Sequence, residues 1–169
     1  MKRPSSRHGR ARDVLVNKPA PGAATLAAAS EAVAAVVSGG RAADEVLLDT
    51  AERIDRSAIQ AIALGTLRWY LQLLPAVGAL LDRPIAGLPP NLAALLVTGA
   101  HQVEYSRAPP QTSVHLAVEA SRLVGAARAS GLVNAVLRRF VAERAELLAV
   151  ASTPDMATPD DESSARSSA

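Results

Sequence analysis

Cysteine is absent from this chain, and with it go disulfide bridges, thiolate metal sites and any thiol nucleophile. Aromatic residues are scarce, 2% of the sequence, supplied by Trp69, Tyr70, Tyr105 and Phe140. A core without aromatic bulk has to be assembled from Ala, Leu and Val. That suits close-packed helices better than a sheet, whose strands favour aromatic and β-branched side chains. Long apolar runs are missing as well. The Ala-rich stretch from Ala23 to Val37 is interrupted by Ser30 and Glu31 and stops at Gly39-Gly40, too short and too weakly apolar to span a bilayer. Met1 to Lys18 is mostly polar, so no signal peptide is expected. A soluble protein of the reducing cytoplasm, with no membrane partner, is the expectation.

Charge is present but unevenly spread. The formal net charge of +2 covers a basic start, where Lys2, Arg3, Arg7, Arg10, Arg12 and Lys18 face only Asp13. At the other end Glu146, Asp155, Asp160, Asp161 and Glu162 face only Arg166. The middle is nearly neutral. These shifts divide the chain into a basic, disordered arm over 1–22, a helical domain over 23–149 and an acidic, disordered tail over 150–169. A basic arm is the electrostatic footprint of a polyanion partner or a solvated segment that aids solubility.

Apolar periodicity predicts six or seven short helices and no strand, an all-α compact bundle. Leu26, Ala29, Val33, Val36 and Val37 form the first stripe, stopped at Gly39-Gly40. A short helix after Ala42 carries Val46, Leu47 and Leu48. Asp55 is a plausible N-cap for a third, with one unbroken stripe through Ile59, Ile62, Ala63, Thr66, Leu67, Tyr70, Leu71 and Leu74. Gly65 in that stripe costs about 1 kcal/mol against Ala unless a neighbouring helix comes close. Pro75 is expected to break or bend the helix, with a further one running to about Leu81. Pro89-Pro90-Asn91 opens the next, with Leu92, Leu95, Leu96, Gly99 and Val103 inward, ending before Pro109. Thr112 or Ser113 then caps a helix burying Val114, Ala117, Val118 and Ser121, which stops at Gly125. The last buries Val133, Val136, Leu137, Phe140, Leu147 and Leu148.

Signals for catalysis are missing. His8, His101 and His115 belong to no metal-binding pattern, and the last two are expected on mainly polar helix faces. No phosphate-binding glycine loop is present. Asp44 and Glu45 suit the positive end of a helix, and Glu143 and Glu146 read as a solvated face. Neither a metal nor an organic cofactor is expected. The basic residues of the middle are more informative. Asn134 and Arg138, four apart, share a face of the last helix, with Arg139 about 100° around it. An amide beside guanidinium groups suits phosphate and base-edge contacts, or else Asn134 bonds a neighbouring loop and the arginines are solvated. Arg68 beside Trp69, and Arg107 in the turn before the prolines, pose the same choice. Trp69 at helical spacing is expected in the core.

Three segments together resemble a known family. Asp55-Arg56 with Leu64-Gly65-Thr66-Leu67-Arg68 is similar to the third-helix motif of the NusB-like domain. Tyr105-Ser106-Arg107-Ala108-Pro109-Pro110, with Val114 and Ala117-Val118-Glu119-Ala120, resembles its proline turn and next helix. The run from Gly131 to Phe140, containing Asn134, Arg138 and Arg139, resembles its closing helix. Within that group the likeness is greatest to the N-terminal domain of the bacterial small-subunit rRNA cytosine-5 methyltransferases. The resemblance implies an RNA-binding domain in rRNA processing, rRNA modification or transcription regulation, including antitermination. The expected RNA-binding residues are Arg7, Arg10, Arg12, Arg68, Arg107, Asn134, Arg138 and Arg139. In those methyltransferases a S-adenosylmethionine-binding domain with paired cysteines follows. Attack on cytosine needs a thiolate that this chain lacks, so it is expected not to be an enzyme by itself. Two other readings are a protein-interaction module in an antitermination or ribosome-assembly complex, partnered by a ribosomal protein, and a truncated or split methyltransferase whose catalytic domain is separate.

Overall fold

The computed structural model describes residues 18–153. The predicted arm residues Arg7, Arg10 and Arg12 and nearly all of the acidic tail lie outside them. Among the described residues there are seven α-helices and two 3₁₀ turns, and no strand: α1 Pro21–Val37, α2 Ala43–Leu48, α3 Arg56–Arg68, α4 Tyr70–Gly78, α5 Pro90–Tyr105, α6 Pro110–Leu123 and α7 Ser130–Ala151. The turns are Ile85–Gly87 and Ala127–Ala129.

Proline, not a side-chain cap, starts three of these helices. Pro21, Pro90 and Pro110 each occupy the first helical position, where the missing N–H would have had no partner and the fixed φ already suits a helix. This corrects the expected start of α6: Thr112 and Ser113 lie inside the helix, and Ser113 is buried with its hydroxyl directed to the Gln102 carbonyl at 3.3 Å. Asp55 does precede α3, but its carboxylate makes no cap bond. It accepts from Thr25 Oγ1 at 2.6 Å and from Arg53 at 3.0 Å instead, tying α1 to the start of α3. At the end of α6, Gly125 adopts φ 77°, and the Ala126 N–H reaches back to the Ser121 carbonyl at 2.8 Å. That bond closes a Schellman turn that a side chain at position 125 would strain.

The centre of the molecule is α5. Leu92, the run from Ala94 to His101, and Val103 are all buried, so this helix is covered on every side rather than along one stripe. One cluster packs α4, α6 and α7 against it around Phe140, Leu73, Leu95, Leu96 and Leu137, all fully buried. A second joins α1, α2 and α3 through Ala29, Val33, Val46, Ile59 and Ala63. Inward positions expected of α5 and α7 are buried, apart from Leu147 and Leu148, which are half-covered. Leu48 and Leu71 are not inward: they are 72% and 86% exposed. Hydroxyl groups cross the core without loss, since Ser30, Thr66 and Thr98 each donate to the carbonyl four residues earlier at 2.8 Å.

The stripe expected to run unbroken to Leu74 is interrupted at Trp69, whose φ of −103° and ψ of 9° end α3 and begin α4. Pro75 sits inside α4 and does not break it. The helix restarts only at Tyr70, so Pro75 falls in its second turn and deletes one hydrogen bond rather than dividing a long helix.

Gly65 explains the geometry of the α3–α5 crossing. A Cβ built there would lie 2.7 Å from Cε1 and Nε2 of His101. Gly65→Ala should therefore destabilise the protein by roughly 1–3 kcal/mol despite the better helix propensity of alanine. Gly131→Ala, where a Cβ meets nothing within 4 Å, should stabilise it by roughly 0.5 kcal/mol. Urea unfolding of the two variants beside the parent chain checks the opposite signs.

Candidate nucleic-acid interface

The interruption at Trp69 has a partner across the α3–α5 seam. The indole of Trp69 stacks on Tyr105, ring centres 5.2 Å apart and planes inclined by 15°. Tyr105 lies against His101 at 5.2 Å, tilted by 36°, and the His101 ring fills the space that Gly65 leaves open. The Arg68 guanidinium lies over the Trp69 ring, 5.8 Å from its centre, close enough for a cation–π attraction. The result is a column of side chains rising from the buried crossing to the surface.

Two expectations are corrected by this column. Trp69 is not a core residue: it is 39% exposed and Tyr105 41%, because it stacks on Tyr105 across the seam rather than entering the core. His101 is not on a polar face. It is buried, since the absence of a side chain at Gly65 lets α3 close over it. Burial pushes the His101 pKa below the ordinary histidine value, and Gln102 Nε2 lies 3.2 Å from its Nδ1. His115 is exposed on α6, as expected of it.

The other expected site residues fall into two groups. Arg68 and Arg107 are both exposed, the first at the end of α3 and the second two residues beyond Tyr105. Asn134, Arg138 and Arg139 lie on α7. Arg138 is exposed and forms no ion pair among the described residues. Arg139 is engaged, with Nε 3.2 Å from Glu143 and a nitrogen 3.4 Å from the Leu80 carbonyl. Asn134 is half-buried and makes no side-chain hydrogen bond among the described residues, so the alternative loop contact is not formed. The groups do not converge. Gln72, near the start of α4, bonds Ser152 at the end of α7, while Leu80 beyond the end of α4 meets Arg139. The two helices are thus antiparallel, and Arg68 and Arg139 lie toward opposite ends of α4. Sequence reasoning missed Tyr105 and Gln72, whose importance depends on which helices meet. Arg83 and Arg128, exposed and without ion pairs among the described residues, were also passed over because each stands alone in its turn.

No group of three or more His, Asp or Glu among the described residues could hold a metal ion. None of the described helices is long and apolar enough to cross a membrane.

The NusB family profile matches residues 25–142. The chain belongs to the NusB family. Residues Gly65, Arg68, Trp69, His101, Tyr105, Arg107, Asn134, Arg138 and Arg139 all fall within the matched span. Similar proteins include the probable ribosomal RNA small subunit methyltransferase B of Coxiella burnetii, 37% identical over 99 residues, which cover 59% of this chain and 23% of that protein. The ribosomal RNA small subunit methyltransferase B of Pseudomonas putida is 37% identical over 125 residues, covering 72% of this chain and 29% of its own length. Its counterpart in Shigella sonnei is 31% identical over 130 residues, with 75% and 30% covered. The chain spans less than a third of the length of these relatives, matching their N-terminal, NusB-like part.

The buried histidine has a consequence for stability. The unfolded chain binds a proton at His101 more readily than the folded one, so stability rises with pH between the depressed folded value and the ordinary histidine range. It falls as pH drops below that range. Urea midpoints measured from weakly acidic to neutral pH should show this slope, and His101→Gln should flatten it.

Proposed function

We propose that this chain is an RNA-binding domain that acts in ribosomal RNA modification or processing and supplies binding rather than chemistry. The observation that carries this reading is the pairing of NusB family membership with relatives whose names state that they act on small-subunit ribosomal RNA. The exposed guanidinium groups of Arg68, Arg107 and Arg138 are suited to phosphate contacts, with Asn134 and Arg139 beside Arg138. The basic segment that includes Arg7, Arg10 and Arg12 adds attraction without sequence preference. It precedes a helical domain over 23–149, with the acidic residues over 150–169 opposing it in charge. A cytoplasmic location follows from the reading, as does an absence of methyl transfer by the isolated chain.

A second reading, a protein-binding role, draws on the seam between α4 and α7. There Pro75, Ala76, Ala79, Leu147 and Val150 line an open apolar cleft of about 240 Å³, and Val150 is 75% exposed. A ribosomal protein or a separate methyltransferase domain would be a fitting partner.

Gel-shift titration of the chain against ribosomal RNA fragments separates these. Affinity should fall steeply with added salt, and removal of Met1 to Arg12 should weaken it. Arg68→Ala and Arg138→Ala should each reduce the slope of log affinity against log salt by about 1 if each guanidinium holds one phosphate. Undetectable or salt-independent binding would overturn the RNA reading.

A further inference from the structure

Beside the aromatic column is a hollow that the cationic contacts leave unused. It is bounded by Leu67, Arg68, Trp69, Leu71, Gln72 and Ser152 and measures about 410 Å³. Two features of its wall are open to a ligand, and a third fixes the wall itself. Trp69 contributes a partly open indole, stacked on Tyr105 and with the Arg68 guanidinium over part of it. Arg68 is exposed and forms no ion pair among the described residues. Gln72 is committed to the wall: its amide N–H donates to Ser152 Oγ at 2.6 Å and its Oε1 is buried.

From this combination we infer that the hollow is a stacking site for an unpaired nucleobase of single-stranded RNA. The base lies on the open part of the Trp69 ring, beside the Arg68 guanidinium that meets its sugar-phosphate backbone. An apolar protein surface satisfies none of the polar half: it would bury a guanidinium without a counter-charge, which is costly. A nucleotide satisfies the indole and the guanidinium at once. Duplex RNA fits poorly, because its bases are already stacked on one another and their faces are closed. The column accounts for the rigidity such a site needs. Trp69 is fixed by Tyr105, Tyr105 by His101 and His101 by the Gly65 gap, so the platform is ordered before the base arrives and little ordering remains to oppose binding.

The inference rests on the RNA-binding reading, and one experiment distinguishes their failures. Trp69 is the sole tryptophan, so its emission reports on the hollow directly. The full chain is titrated with short single-stranded oligoadenylate and, separately, with duplex RNA of the same length, following both Trp69 emission and the anisotropy of an end-labelled RNA. The expected result is binding of both RNAs, with emission quenched by the single strand alone. Trp69→Ala should weaken single-strand binding about tenfold, the ordinary effect of losing one stacked base, and leave duplex binding unchanged. Trp69→Phe should retain most of the affinity. Binding of the single strand without quenching, or equal quenching by duplex, overturns the stacking site and leaves RNA binding standing. No binding of either RNA removes both. Should Trp69→Ala not fold, the emission of the unaltered chain still decides.

Discussion

Much of this structure depends on how closely α3 approaches α5. At most helix crossings two side chains meet; here one is missing at Gly65, and the ring of His101 takes its place. The close approach buries an imidazole, which brings Tyr105, one turn further along α5, up against the end of α3. Trp69 finds its stacking partner there and not in the core, and α3 ends one residue before it. The break between α3 and α4, the exposed cation beside it and the hollow next to it all follow from a hydrogen standing where other residues carry a Cβ.

The rest of the scaffold is economical in side-chain size. Ala, Val and Leu account for almost all of the buried apolar residues, with Phe140 and Ile59 the largest, and Ser30, Thr66 and Thr98 return their buried hydroxyls to their own helix. Such residues lose little rotamer freedom on burial compared with long side chains. They also let α1 and α5 lie near each other. Large and functional groups are thereby displaced outward: three of the four aromatics keep some exposure, and the arginines stay at helix ends or on outer faces. A neutral, small-residue interior with a varied exterior is what a recognition domain needs, since its affinity resides in groups that the fold itself does not consume.

Individual residues show how much was legible beforehand. Helix number, the inward positions of α5 and α7, and the conditional meaning of Gly65 were all readable, because each rests on local periodicity or on a residue with one main use. The segment from Asp55 to Leu74 was misread where tertiary contact overrode the pattern. Its apolar spacing is continuous, yet Leu71 is exposed and the helix breaks at Trp69, because stacking on Tyr105 is a contact between residues far apart in sequence. Pro75 carried a strong local signal whose effect depended on where the helix began. Pro90 opens α5 as its sequence suggests, whereas Pro110 sets a start of α6 that the polar residues Thr112 and Ser113 disguised. Of the site, the arginines could be found as residue types. Their division between the two ends of α4, and the place of Gln72, depend on α4 and α7 running antiparallel.

The makeup of the interior also bears on oxidative damage. The chain's sulfur is confined to Met1 and Met156, and neither lies among the described residues. Sulfur side chains are the groups that peroxide attacks most readily, and converting a buried thioether to its sulfoxide disrupts the packing around it. The described core, being hydrocarbon apart from its hydroxyls and the His101 ring, has no such point of entry. Peroxide therefore finds no sulfur to attack within the described helical scaffold.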